Sequence, residues 1–256
     1  IYQKVQQKKP WQTCWVLFLL VGKRYFTASF LIVPCYLEIR LKLFIYDHCP
    51  YCVRAWMPLG IKNIPCELVV MLNDDVETPT AMIGKKMVPI LELDDGTYIP
   101  ESLDIVAYLD ENFGESATFA PFSKRADLAA WVDQFKGTMN DLCLPRVPQA
   151  PLKEFATASA REYFTRAKTA YIGDFAALMA ETPAQLQIMN EGLRQFGNLL
   201  RGEYVNETLS YDDIDLFAKL RGLTLVAGCE WPTRTREYVD AMSAKSGVSL
   251  YDDFAI

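Results

Sequence analysis

A pair of cysteines between a strand-like and a helix-like segment constrains this chain most. Residues 42–46, KLFIY, have the composition of a short strand, and the motif Cys49–Cys52, CPYC, opens a segment with apolar residues at helical spacing. Proline suits the first position of a helix because the N–H there has no intrahelical partner. We therefore predict that Cys49 caps a helix, that Pro50 is its first residue and that both sulfur atoms lie beside the first turn.

This placement predicts redox chemistry for the pair. The positive end of the helix and the free N–H groups of Tyr51 and Cys52 favour a Cys49 thiolate by ~1–2 kcal/mol, which lowers the pKa of Cys49 by about one unit or somewhat more. Cys49 would attack a disulfide, and the more buried Cys52 would resolve the product. A zinc site requires about four ligands, whereas the chain has one histidine, His48, and no second closely spaced Cys/His pair. His48 could favour the thiolate when protonated, but the adjacent Asp47 opposes this, so we interpret His48 as a loop residue.

The segment around the motif has the pattern of a small α/β domain. The order of elements is β-α-β-α-β-β-α, with Asp95-Gly96 as the signal for a hairpin between the last two strands. Pro58 is predicted to kink or shorten the first helix, and Thr78 is predicted to cap the second. The predicted strands are 42–46, 66–71, 87–93 and 97–100, and the predicted helices are 51–63, part of 73–84, and 101–112.

The second half of the chain is predicted to be entirely helical. Residues 114–125 are small and polar and contain one proline, which is typical of a linker, and no convincing strand follows. Ser210 and Asp213 have the spacing of a capping box before an apolar run. We therefore predict an α/β domain at 41–113 and an all-α domain at 126–256. The predicted helices of the second domain are 126–144, 157–171, 183–200 and 212–227.

Residues 1–40 are treated separately. They contain the apolar runs 15–22 and 30–37, separated by Lys23 and Arg24, and neither reaches the ~20 residues of a membrane-spanning helix. A signal peptide is one interpretation, because lysines precede an apolar run that small residues follow. We expect instead that this extension is not part of the native protein and that Leu41 is its start.

Charge and cysteine content exclude several classes of function. The formal net charge of -6 argues against a general nucleic-acid or anionic-membrane binder. Seven irregularly spaced cysteines do not form the pattern of a secreted disulfide framework. We therefore expect a reducing, cytoplasmic compartment, with Cys66, Cys143 and Cys229 as small core residues.

Three motifs together carry a resemblance to a known family. CPYC follows a short strand, VPIL contains Pro89, and PES occupies 100–102. With the helical second half, the sequence from residue 41 to 256 resembles the glutaredoxin 2 family, the large bacterial glutaredoxins with a glutathione-transferase-like architecture. The resemblance implies a thioredoxin-like domain followed by an all-helical one. It also implies a glutathione-dependent thiol-disulfide oxidoreductase.

The resemblance further implies how glutathione binds. Pro89 would be cis, and the backbone of Val88 would pair with the cysteinyl part of glutathione. Glu101 and Ser102 would hold the γ-glutamyl end, where a helix N-terminus suits a carboxylate; a simple helix cap is the alternative. Tyr51 would line the thiol pocket or would merely be exposed.

The family also implies the partners and cofactors. Glutathione would act as the electron-donating co-substrate, with no bound cofactor, and glutathione reductase would recycle it. Disulfide-containing or glutathionylated proteins would be substrates of a monomer. Two rivals remain: a glutathione transferase, against which Cys52 speaks, and a noncatalytic transferase-fold binding protein, which would not need the pair.

Overall fold

The computed structural model of the protein describes residues 41–114 and 116–256. The expectation about residues 1–40 falls outside these described residues. Within them, no helix is long and apolar enough to cross a membrane.

A four-stranded sheet forms the centre of the first half. The strand order is β2-β1-β3-β4, with β1 and β2 parallel and the other neighbouring pairs antiparallel. A parallel pair requires a crossover connection, and the helix after the CPYC motif provides it. The predicted order of elements and the hairpin are confirmed. The strands are β1 (Leu41–Ile45), β2 (Cys66–Val70), β3 (Ile90–Glu92) and β4 (Tyr98–Pro100).

Helices cover the sheet and form the second half, as the α/β-then-α prediction required. Short 3₁₀ turns at 147–149, 153–155 and 252–254 connect or follow some of them. The helices are α1 (Pro50–Ile61), α2 (Glu77–Ile83), α3 (Ser102–Asn112), α4 (Ala126–Cys143), α5 (Ala158–Ile172), α6 (Phe175–Ala180), α7 (Thr182–Leu199), α8 (Tyr211–Leu223) and α9 (Thr233–Ser246).

Helix α1 continues through Pro58 to Ile61, so the predicted shortening there is wrong and the alternative, a kink, stays a prediction. Two other local predictions in the first half were also wrong. Helix α2 begins at Glu77, earlier than the predicted cap Thr78, because Asp75 accepts a hydrogen bond from the Thr78 N–H at 3.0 Å and so satisfies the first turn. Strand β3 begins at Ile90 rather than Met87, since the preceding residue is a proline and has no N–H for the ladder.

In the second half, α6 and α9 were not predicted and α8 is shorter than predicted. The buried side of α9 includes Thr235 and Ser246, so its apolar period is weak. Helix α8 ends at Leu223 because the Thr224 hydroxyl donates to the Arg221 carbonyl at 2.7 Å and the chain turns away. The capping box at Ser210 and Asp213 is confirmed.

One continuous core joins α1 to the helical half. Val53 and Met57 of α1 belong to the same buried cluster as Phe135, Phe196 and Phe217. Helix α1 therefore packs against α3 of the first half and against α8 and α9 of the helical half. The approach to α9 is so close that a Cβ on Gly60 would lie 1.8 Å from the Ser246 carbonyl oxygen.

Candidate active site

The register of the sheet brings the predicted site residues to one edge. Phe44 near the end of β1 is opposite Ile90 at the start of β3, and Ile90 is opposite Pro100 at the end of β4. The chain therefore leaves β1, enters β3 and leaves β4 at the same edge of the sheet. The CPYC motif, the Val88–Pro89 peptide and residues 101–102 are attached there.

The two cysteines occupy the predicted positions at the start of α1. Cys49 is the N-cap residue and Pro50 opens the helix. Cys49 is half-buried, whereas Cys52 is completely buried. The Tyr46 N–H donates to Cys52 Sγ at 3.4 Å, and the Cys52 thiol donates to the Cys49 sulfur. The outer sulfur is therefore available to a substrate and the inner one faces the protein.

These surroundings separate the acidities of the two thiols. The hydrogen bond from Cys52 lowers the pKa of Cys49 to about 6, against the opposing effect of burial. His48 and the N–H groups of Cys52 and Tyr51 lower the pKa of Cys49 further, although its side chain makes no hydrogen bond with the geometry of a helix cap. Burial raises the pKa of Cys52 well above its ordinary value. The shift of Cys49 is larger than the sequence predicted because the helix end is only one of its causes.

Tyr51 lies on the outer side of the motif. Its side chain is 55% exposed, and the Arg54 guanidinium carbon lies 4.8 Å from the centre of its ring. Arg54 is also paired with Asp215 of α8, which binds Lys219 as well. This ion-pair network holds the cation against the aromatic ring, so Tyr51 presents its other surface to solvent beside Cys49.

The proposed glutathione residues lie along the same edge. The Val88–Pro89 peptide is cis, as the resemblance implied; Val88 is half-buried and Pro89 is buried. Glu101 is exposed, has a positive φ of 68° and caps α3, and Lys85 lies 3.3 Å from its carboxylate. Ser102 is the first residue of α3, and its hydroxyl makes no hydrogen bond to the described residues.

The helical half holds Asp47, two residues before Cys49. Arg221 of α8 is 2% exposed and donates to the Asp47 carbonyl at 2.6 Å and to its carboxylate at 2.7 Å. The Tyr251 hydroxyl donates to the same carboxylate at 2.6 Å. A buried arginine inside the apolar pattern of α8 is the signal by which the sequence could have indicated this contact.

His48 lies in the turn between β1 and α1, as predicted, and it is also bound by the helical half. Its backbone N–H donates to Glu154 Oε1 at 3.0 Å, and its Nδ1 lies 2.8 Å from the same oxygen. The His48 side chain is 9% exposed and that of Glu154 is completely buried. Nothing in the sequence around Glu154 distinguishes it from an ordinary surface glutamate.

Comparisons with known proteins agree with the two halves of this fold. The family model "Glutaredoxin 2, C terminal domain" matches residues 127–255, and "Glutathione S-transferase, N-terminal domain" matches residues 43–117. The sequence is 45% identical over 217 residues to glutaredoxin 2 of Escherichia coli K12, across 84% of this chain and 100% of that protein. The chain belongs to the glutaredoxin 2 family. It is therefore a glutathione-dependent oxidoreductase with the predicted thioredoxin-like and glutathione-transferase-like architecture.

Two solved structures show how similar the fold of this glutaredoxin is to those of other proteins. The crystal structure of glutaredoxin 2 from Salmonella typhimurium, a complex with glutathione, has a TM-score of 0.81 and 44% identity over 84% of this chain and 99% of that one. A glutathione S-transferase of Ceriporiopsis subvermispora, at 14% identity and a TM-score of 0.63 over 82% of this chain and 98% of that one, shares the fold alone. Across residues 41–114 and 116–256, no group of three or more acidic, cysteine or histidine side chains could hold a metal ion.

Proposed function

We propose that Cys49 is the nucleophile of this glutaredoxin and that Cys52 is its resolving thiol. The observation that carries the proposal is the contrast between the two sulfur atoms. Cys49 is half-buried with its pKa lowered to about 6, so it is largely ionised at neutral pH. Cys52 is completely buried and its pKa is raised, so it keeps its proton until Cys49 has reacted.

The reaction begins when the Cys49 thiolate attacks a sulfur of a glutathione mixed disulfide. The bond to the substrate thiol breaks, that thiol leaves as a thiolate and takes up a proton, and glutathione remains bonded to Cys49. A second glutathione thiolate then attacks the glutathione sulfur, releases oxidised glutathione and restores the Cys49 thiolate. With a protein disulfide, Cys52 instead loses its proton and closes a Cys49–Cys52 disulfide, which two glutathione molecules reduce.

In this proposal the glutathione-binding site is the sheet edge beside Cys49. The backbone N–H and carbonyl of Val88, next to the buried Pro89, offer an extended partner for the cysteinyl unit. The α3 N-terminus with the Ser102 hydroxyl is suited to the γ-glutamyl carboxylate, and Glu101 is suited to its ammonium group. Tyr51 covers the outer side of the thiol. The glutathione complex of the Salmonella relative supports this assignment.

The glutathione-binding site is tested by the Ser102→Ala variant. The matched control is Ser159→Ala, because Ser159 is an exposed serine of α5. A hydrogen bond to a charged group contributes ~1.5–3 kcal/mol, so we expect the KM for a glutathione mixed disulfide to rise roughly tenfold or more in Ser102→Ala. The control should match the wild type. Equal KM values in all three proteins would show that Ser102 does not contribute to glutathione binding.

The roles of the two cysteines are tested by mass spectrometry after incubation with oxidised glutathione. Cys52→Ser should accumulate one glutathione on Cys49, because its resolving thiol is absent. Cys49→Ser should remain unmodified at Cys52, since that thiol is buried and protonated. Glutathione on Cys52 of the Cys49→Ser protein, with none on Cys49 of the other variant, would reverse the assignment.

We further infer the setting in which the enzyme works. Its substrates are glutathionylated or disulfide-containing proteins, glutathione reductase recycles its donor, and the chain acts as a monomer. The compartment is the cytoplasm, where a chain with five free thiols among its described residues stays reduced. We retain the proposed domain boundaries, with residues 114–125 as the linker.

A further inference from the structure

A buried carboxylate of the helical half is attached to the residue that precedes the nucleophile. Glu154 lies in the 3₁₀ turn at 153–155, far from the motif in sequence. One oxygen, Oε1, accepts from both the N–H and the Nδ1 of His48, at 3.0 and 2.8 Å. When the carboxylate is ionised it can only accept, and Nδ1 then carries the proton of this hydrogen bond.

The same residue also holds the next loop at this edge. The Glu154 carbonyl accepts from the Asn73 N–H at 2.9 Å, just after β2. Burial of a carboxylate is costly unless it is paired. Here the other oxygen, Oε2, has no hydrogen-bond partner among the described residues. The hydrogen bonds to His48 are therefore the main compensation for the cost of burying the Glu154 carboxylate.

The His48 ring is fixed by aromatic side chains on its remaining sides. It stacks on Tyr46 with ring centres 6.0 Å apart and packs against Phe155 and Phe164 at 5.3 and 5.1 Å. Two of these rings come from the helical half, so the imidazole is enclosed by residues from both halves of the chain. His48 can move little without displacing Cys49, its neighbour in sequence.

We propose that Glu154 is a positioning residue for the nucleophile, which acts through His48 to hold the imidazole and the Cys49 loop in their reactive arrangement. This inference rests on the proposed role of Cys49. It gives the helical half a direct part in the reaction, beyond packing. Glu154 itself touches neither sulfur through a hydrogen bond; it holds the ring and the backbone of His48, the residue before Cys49.

The sign of an amide substitution distinguishes this role from a direct charge effect. A carboxylate that acted on Cys49 directly would disfavour the thiolate, so Glu154→Gln would make Cys49 more acidic. If Glu154 acts through His48, the amide weakens the hold on the imidazole and on the loop that carries Cys49, and Cys49 becomes less acidic. The other charged or titratable groups around the two residues stay unchanged: Tyr46, Asp47, Cys52, Arg221 and Tyr251.

The test is the pH dependence of Cys49 alkylation by iodoacetamide in the full chain, with mass spectrometry to identify the modified cysteine. We expect Glu154→Gln to raise the midpoint by about one pH unit, which lowers the rate roughly fivefold near pH 6 and leaves it unchanged near pH 9. Damage to the fold alone would change the accessibility of Cys49, and with it the alkylation rate, at every pH. Glu162→Gln, an exposed glutamate of α5, is the matched control and should follow the wild type.

A second variant isolates the path through His48. His48→Phe keeps an aromatic ring in the same enclosure and removes Nδ1, so it should raise the midpoint as well, and Glu154→Gln should add little to it. A wild-type midpoint or a lowered one in Glu154→Gln overturns the proposal, as does full additivity of the two changes. If Glu154→Gln does not fold, an unchanged midpoint in His48→Phe overturns it and a raised one supports it. A failure of the proposed function can be told apart from a failure of this inference, because Cys49 of the wild type would then be unreactive.

Discussion

At the scale of single residues, two chemically identical thiols differ because their surroundings differ. Cys49 receives a hydrogen bond from Cys52 and faces a helix N-terminus, and both favour its thiolate. Cys52 is enclosed by the protein, which disfavours its charge. The proton that the two share thus remains on the inner sulfur, which supports the proposal that the outer sulfur is the reactive one.

The hydrogen bond from Cys52 is the largest cause of the acidity of Cys49, so its removal should be measurable. We expect Cys52→Ala to raise the midpoint of Cys49 alkylation from about 6 towards the ordinary thiol value. Cys52→Ser keeps an O–H donor and is the matched control, with a smaller rise. The pH profile of iodoacetamide alkylation checks both. Identical profiles for wild type and Cys52→Ala would show that the donor does not control the acidity.

The sequence predicted the residues of the motif but not those that surround it. CPYC, its position at a helix start and the order of the two sulfur atoms are local properties, and all followed from the spacing of neighbouring residues. The contact between His48 and Glu154 joins residues 106 positions apart. Local patterns carry no information about such a pair, because it forms only when the helical half packs on the sheet edge.

At the scale of secondary structure elements, α1 connects the chemistry to the rest of the protein. Its first turn holds the two cysteines, its middle supplies Val53 and Met57 to the common core, and its last turn contacts the end of α9. Glycine is needed at position 60 because the two backbones nearly touch there and leave no room for a Cβ.

This contact predicts opposite effects for two glycine substitutions. Gly60→Ala would place a methyl group 1.8 Å from the Ser246 carbonyl oxygen, so we expect a loss of ~1–3 kcal/mol in the free energy of unfolding. Gly137→Ala, in α4, meets no atom within 4 Å and should stabilise by ~0.5–1 kcal/mol. Urea unfolding of both variants measures this, and equal stabilities would contradict the close approach of α1 and α9.

Prediction of elements from sequence succeeded where the apolar period was strong. Strands β1 and β2 and helices α1, α3, α4, α5 and α7 were predicted nearly at their observed bounds. The short α6 and the polar-faced α9 were not predicted, because α9 buries threonine and serine among its contacts. The residues after a helix also make tertiary hydrogen bonds that no window of sequence reveals, such as the one that the Tyr251 N–H donates to the Thr224 hydroxyl.

At the scale of the whole molecule, the α/β half and the helical half behave as one packed body through α1. The largest buried cluster contains residues from both, and Arg221 and Glu154 add polar contacts at the active-site edge. Because the core is continuous, neither half can lose its structure without exposing the apolar surface of the other.

The common core predicts cooperative unfolding. We expect the backbone amides of α1 and α8 to lose protection from hydrogen exchange with the same free energy and the same denaturant dependence. Hydrogen exchange with mass spectrometry across a urea series measures this for peptides from each helix. Earlier exchange of α1, with α8 still protected, would show that the halves unfold separately.

The central claim is that Cys49 carries glutathione-dependent reduction and that Cys52 serves only the dithiol route. The most direct measurement is NADPH consumption with glutathione, glutathione reductase and a small glutathione mixed disulfide, in wild type, Cys49→Ser and Cys52→Ser. We predict rapid turnover in the wild type and in Cys52→Ser, and none in Cys49→Ser. Turnover that persists in Cys49→Ser, or a wild type without turnover, would contradict the account.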